Sequence, residues 1–250
     1  MIDQGRHGAE RVDLAGDDIL LTYRGRPIRP KTAGQKRYVQ SIRSNTVTFG
    51  IGPAGTGKTY LAMAMAVAAL KRREVGRIVL TRPVVEAGES LGYLPGTLEE
   101  KLDPYVRPLY DALFDMTDIG KGNALIEDGV IEIAPLAFMR GRTFNNAFVI
   151  LDEAQNTTLS QIKMFLTRMG RNARFIVTGD VTQIDLPRRS DSGLVRTMEI
   201  LRGVDDIGIV EFDKRDIVRH PLVKYIVEAF DRHVGRVSAE PEETKTKNEA

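Results

Sequence analysis

A chain of 250 residues has room for one substantial core, and 42% apolar beside 28% charged residues describes an ordinary water-soluble protein, not a disordered or fibrous one. The net charge of +2 is too small to argue for nucleic acid by excess, so any basic surface must come from clustering; the absence of cysteine excludes a disulfide framework and a thiolate metal site. The N-terminal stretch Met1 to His7 lacks a signal-type apolar run, and the longest apolar run, Leu61 to Leu70, is far short of a membrane span. A cytoplasmic protein with no membrane segment is expected.

In chain order, residues 1–17 are polar, carry no sustained period and read as a flexible N-terminal segment. An apolar patch at 19–21 and a basic, proline-broken stretch at 24–31 precede a helix over 34–43. Apolar runs rich in β-branched and aromatic residues predict strands at 47–51, 77–81, 130–134, 147–151, 174–178 and 207–212. Helical patterns lie at 57–73, 98–115, 158–169, 191–202 and 221–233. Strands alternating with helices indicate a mainly parallel central sheet with helices on both faces, an α/β fold. The globular unit should span 18–236. The Glu- and Lys-rich tail, 237–250, should be disordered.

The first predicted helix with a strong signal begins on a motif. Gly52, Pro53, Ala54, Gly55, Thr56, Gly57, Lys58 and Thr59 spell G-x-x-x-x-G-K-T between a strand and a helix. That context puts several backbone N–H groups and the positive end of a helix dipole around one anion. Gly52 and Gly57 permit the tight path and close approach to phosphate that a Cβ would block. Lys58 can reach the outer phosphates of a nucleoside triphosphate, and the Thr59 hydroxyl can bind Mg²⁺. A nucleotide-binding loop is therefore expected.

Two further apolar strands end in chemistry-bearing residues. Phe148 to Leu151 runs into Asp152 and Glu153; since ligands sit at the carboxyl ends of parallel strands, Asp152 should meet the Mg²⁺ held by Thr59, directly or through a water. Glu153 is placed to accept a proton from an attacking water. Phe175 to Thr178 runs into Gly179 and Asp180, with Gln183 able to orient that water or sense the γ-phosphate. Lys58, Glu153 and Gln183 are the candidate catalytic residues.

The glycine loop, D-E-A-Q and G-D-x-x-Q are similar to motifs of the superfamily-one helicases. More of the chain follows one narrower pattern: Pro30 to Lys36 around Gly34 and Gln35, Thr81-Arg82-Pro83 through Gly88, Leu94-Pro95-Gly96, Asp103 through Tyr110, Met139 through Asn146, Ile184 through Pro187, and Asp216 through Pro221. In these residues the chain resembles the PhoH family, bacterial phosphate-starvation-inducible P-loop ATPases, over about 18–233. The resemblance implies a single RecA-like P-loop NTPase domain, ATP with Mg²⁺, and an association with RNA, with an endoribonuclease as a partner in RNA processing. Some members carry an N-terminal nucleic-acid-binding or nuclease portion; neither is present at useful length within these residues. Gln35 matches a glutamine that in helicases reads the adenine edge, and an amide can pair bidentately with adenine N6 and N7.

Hydrolysis needs more positive charge than Lys58 and Mg²⁺, and helicases of that type take an arginine from a second RecA-like domain. A chain of this length has none, so the arginine should come from a neighbouring subunit of a homo-oligomer, by analogy a hexameric ring. Arg215, Arg219 and Arg142 lead the candidates, with Arg140, Arg168 and Arg171 behind them. Arg82, Arg107 and Arg140, near aromatics such as Tyr93, Tyr105 and Phe144, are candidates for single-stranded RNA. Two rivals stand beside this reading: a ring-forming ATPase that remodels or regulates proteins, and a small-molecule kinase sharing the glycine loop.

Overall fold

The computed structural model describes residues 18–84 and 98–218, together with 222, 223 and 226. It divides into residues 1–217 and 218–250; of the second unit, 222, 223 and 226 are helical. The expectations for 1–17 and 237–250, and nearly all of the helix at 221–233, lie outside the described residues.

Eight strands and six helices order the described residues of the first unit. In chain order they are β1 (Leu20–Leu21), β2 (Pro27–Ile28), α1 (Ala33–Ser44), β3 (Val47–Ile51), α2 (Lys58–Lys71), β4 (Arg77–Arg82), α3 (Leu98–Met116), α4 (Ile119–Glu127), β5 (Ile131–Pro135), β6 (Ala147–Leu151), α5 (Leu159–Leu166), β7 (Ala173–Gly179), α6 (Leu194–Leu201) and β8 (Ile207–Glu211). The sheet runs β5-β4-β6-β7-β3-β8, every neighbouring pair parallel, while β1 and β2 form a separate antiparallel pair.

Period-two alternation assigns the two faces. Ile78, Leu80, Phe148, Ile150 and Ile176 point into the core shared with α1, α2 and α3. Val79, Val149, Leu151, Phe175 and Val177 point into the core shared with α5 and α6. Helix α2 has no polar stripe, and every residue from Leu61 to Ala69 is buried, as an all-round apolar helix must be. The α1 helix starts at Thr32, whose hydroxyl accepts the Gln35 N–H, and α5 starts in a reciprocal capping box of Thr158 and Gln161.

All six predicted strands are present within one or two residues of their expected ends. Two features differ. The patch at 19–21 belongs to a hairpin whose Ile19, Leu20 and Ile28 are buried in the α2-side core. Helix α4 was not expected, because Gly120 and Gly122 lower its intrinsic helix propensity; its start is fixed by Asp118, whose side chain caps the Lys121 N–H.

One glycine sets how closely α1 can lie on the sheet. A Cβ on Gly50, in the middle of β3, would stand 2.5 Å from Tyr38 Cε2 of α1. Tyr38 is wholly buried and packs edge-on against Phe212 with ring centroids 5.3 Å apart, so it has nowhere to go. Gly50→Ala is expected to destabilise the domain by about 1–3 kcal/mol, the ordinary cost of overpacking, read as a lower urea midpoint at unchanged slope.

Candidate active site

Topology builds the site. Strand β7 lies between β3 and β6, with Ile51 opposite Gly179 and Leu151 opposite Val177, so three carboxyl ends stand side by side. The loop after β3, the acid pair after β6 and Asp180 after β7 therefore face one cleft of about 290 Å³, lined by Ala54, Gly55, Gly57, Lys58, Thr59, Tyr60, Asp152, Glu153, Gly179, Asp180 and Gln183.

The glycine loop takes the conformation its residues allow. Gly57, at φ 79°, is left-handed and caps α2, while Gly52, at φ 152°, passes so close to Phe212 that a Cβ would meet its carbonyl oxygen at 2.6 Å. Lys58 is buried, and its ammonium donates to the carbonyl oxygens of Gly52 (2.6 Å) and Pro53 (2.8 Å). Burial lowers the Lys58 pKa from its ordinary range, against the opposing charges of Asp180, Asp152 and Glu153. Lys58 is thus a cation held by neutral carbonyls, with carboxylates near but unbonded.

The acid pair divides into two environments. Asp152 is buried, and its Oδ1 accepts from the Thr59 hydroxyl and from the Thr178 hydroxyl, both at 2.6 Å. Two hard oxygen groups in direct contact beside the phosphate loop suit Mg²⁺, which favours carboxylate, water and phosphate oxygen. Glu153 sits at φ 54°, a left-handed backbone unusual outside glycine, as the chain leaves β6 for a short 3₁₀ turn over Ala154–Asn156. Its Oε1 lies 3.3 Å from Arg82 Nη2, and its Oε2 accepts from Gln155 Nε2. Burial and the Asp152 charge raise the Glu153 pKa, while Arg82, Gln155 and Lys58 pull it down; burial prevails and the net direction is up.

Asp180 binds the loop to the rest. Its Oδ2 accepts from the Ala54 N–H at 3.0 Å and from Gln183 Nε2 at 2.7 Å; its Oδ1 accepts from the Thr182 N–H and hydroxyl. Burial acts to raise its pKa, but the bonds from Thr182 and Gln183 and the charge of Lys58 leave it below the ordinary value. Gln155, wholly buried, joins this group to the acids, because its Oε1 accepts the Asp180 N–H at 3.0 Å. Gln155 and Thr178 were not expected at the site, and Asp180 was expected beside the phosphates without a role of its own. Their fixed positions within D-E-A-Q and T-G-D were the available signal.

Gln35 is buried beneath the loop, where its Nε2 donates to the Thr56 carbonyl at 2.9 Å and its Oε1 accepts the Lys31 N–H at 2.6 Å. Of the arginine candidates, Arg142 forms a two-pronged pair with Glu132 on the edge strand β5 and stacks on Phe144, its guanidinium 4.8 Å from the ring centroid. Arg168 donates to backbone carbonyls of Met164 and Arg142. Arg215 is exposed and bonded to Asp213, Arg107, Arg140 and Arg171 are exposed, and Arg219 lies outside the described residues. No arginine lines the described part of the cleft; Arg82 stands beside it, paired with Glu153.

A parallel sheet carrying a glycine-loop lysine, a threonine and a strand-end acid pair on one cleft defines a P-loop NTPase domain. The chain belongs to the PhoH-like protein family, whose model matches residues 27–231. It is 63% identical over 214 residues to a PhoH-like protein of Mycobacterium tuberculosis H37Rv, covering 86% of this chain and 61% of that one. It is 58% identical over 216 residues to one of Bacillus subtilis, covering 86% and 68%, and 45% identical over 225 residues to Protein PhoH of Escherichia coli K12, covering 89% and 62%. The match thus spans about three-fifths of the length of the mycobacterial relative. Among solved structures, a Sulfolobus solfataricus SWI2/SNF2 ATPase core in complex with dsDNA aligns at TM-score 0.44 and 13% identity, over 86% of this chain and 55% of that one. Among the described residues no helix is long and apolar enough to cross a membrane.

Proposed function

We propose that this domain hydrolyses ATP and couples the hydrolysis to single-stranded RNA, as a cytoplasmic homo-oligomer acting beside an endoribonuclease in RNA processing. The observation that carries the nucleotide half is the convergence of Lys58, Thr59, Asp152, Glu153 and Gln183 on one cleft, with Thr59 and Asp152 in direct contact. In this reading the loop N–H groups hold the β- and γ-phosphates, and Lys58 leaves the Gly52 and Pro53 carbonyls to pair with them. Mg²⁺, held through Thr59 and Asp152, would neutralise charge on the phosphates. Glu153 takes the proton of the attacking water as its oxygen bonds to Pγ and the bond to the ADP oxygen breaks; Gln183 orients that water. Gln35, tied to the loop through Thr56, is assigned to the adenine edge.

The RNA half rests on the family and on Arg82 at the carboxyl end of β4, with the exposed Arg107 and Arg140. With no arginine lining the described cleft, Arg215 or Arg219 of a neighbouring subunit is the preferred finger; Arg142 would first have to leave Glu132. Arg82, Arg107 and Arg140 are assigned to the RNA backbone.

The test is a phosphate-release assay with and without single-stranded RNA, across protein concentration and salt. The expected result is turnover that rises with subunit concentration and is stimulated by RNA, the stimulation fading as salt rises. Activity indifferent to RNA at low salt but stimulated by a protein would favour the remodelling ATPase instead. A phosphorylated acceptor in place of free phosphate would make the domain a kinase.

A further inference from the structure

Glu153 is restrained on both oxygens. Arg82 approaches one and Gln155 donates to the other, while the left-handed backbone at Glu153 fixes the direction of the side chain. Gln155 cannot readily move, being wholly buried and holding the Asp180 N–H, and Asp180 in turn holds the Ala54 N–H of the phosphate loop. Arg82 is different. It ends β4, the strand beside β6, and about a quarter of its side chain is solvent-accessible, as is a third of that of Glu153. One restraint on the base is therefore buried and tied to the nucleotide loop, and the other reaches the surface.

A proton acceptor needs an oxygen turned to the attacking water. A guanidinium against that carboxylate occupies one of its oxygens and holds it away from any other partner. The guanidinium fork is equally suited to phosphate, so a phosphodiester backbone arriving at the carboxyl end of β4 would compete with Glu153 for the same donors.

We propose that Arg82 is a positioning residue that parks Glu153 in the resting chain and surrenders it when a single-stranded polyanion takes over the guanidinium. Stimulation by RNA is then release of the base from an ion pair. This rests on Glu153 being the base of an RNA-stimulated ATPase.

The test compares wild type, Arg82→Gln and Arg82→Lys for ATPase kcat and KM, without RNA and with saturating single-stranded oligouridylate. Binding of a fluorescent ATP analogue serves as the check that each variant is folded. The expected result for Arg82→Gln is a basal kcat raised roughly threefold to tenfold, the Boltzmann factor of a partly exposed ion pair, at nearly unchanged KM for ATP. The ratio of stimulated to basal kcat should collapse towards one, and Arg82→Lys, which keeps the charge without the fork, should restore part of it. A purely structural role would not raise kcat at constant KM. An unchanged or lower basal kcat in a variant that still binds nucleotide overturns the proposal; so does a variant that merely needs more RNA to reach the same stimulated rate. A wild type that hydrolyses ATP without responding to RNA refutes the RNA half of the function, leaving the basal-rate comparison to judge the ion pair alone. A wild type without hydrolysis refutes the parent reading and this proposal together.

Discussion

Glu153→Gln is expected to lower turnover by about 10²–10⁴ while nucleotide affinity stays close to wild type, the range over which a positioned general base acts. The substitution keeps the shape of the side chain and lets an amide meet Gln155, but it removes the group that can take a proton from water. Asp152, with its bonds from Thr59 and Thr178, is untouched, so the oxygen pair suited to Mg²⁺ survives. Burial and the adjacent Asp152 charge already push the Glu153 carboxyl up from the ordinary glutamate value, which favours its taking a proton. Single-turnover phosphate release beside equilibrium binding separates chemistry from affinity. Turnover that survives the substitution would transfer the base role to another group.

Lys58→Met is the second large effect. It should weaken nucleotide binding and cost about 10²–10³ in turnover, the loss seen when one charge-stabilising donor is removed from a transition state. Stability should move little, because the lost attraction to Asp180, Asp152 and Glu153 is offset by replacing a buried ammonium, hydrogen-bonded to the Gly52 and Pro53 carbonyls and the Thr56 hydroxyl, with an apolar side chain of similar volume. The pair of measurements is what identifies the role. Lost hydrolysis at an unchanged melting temperature assigns Lys58 to the phosphates, whereas the two falling together would assign it to holding the loop.

Much of the site was legible because its parts are contiguous in the chain. The strand, glycine loop and α2 N-terminus are one unbroken segment, so G-x-x-x-x-G-K-T carries its own geometry and predicted where Lys58 and Thr59 would stand. The acids at the end of β6 were readable for the same reason. Roles that depend on neighbours were not. Arg82 was expected at nucleic acid, and the structure sets it against Glu153 because β4 pairs with β6, a partnership no local pattern encodes. Gln155 looked like one letter of a motif until β7, inserted between β3 and β6, brought Asp180 to it. Arg142 offered the same composition as the other arginines, and only the return of the chain along β5 gave it Glu132.

The sequence by itself determined the order of the six sheet strands and of the helices other than α4, the place of the phosphate loop and the family, since period, capping and motif spacing are local properties of the chain. Tertiary structure decided which segments are neighbours: the sheet order, the contact of Thr59 with Asp152 and the hold of Arg82 on Glu153. The physical reason is that crossover helices can return a parallel strand beside more than one partner. The choice between them is made by the packing of both sheet faces, which no single stretch of residues contains.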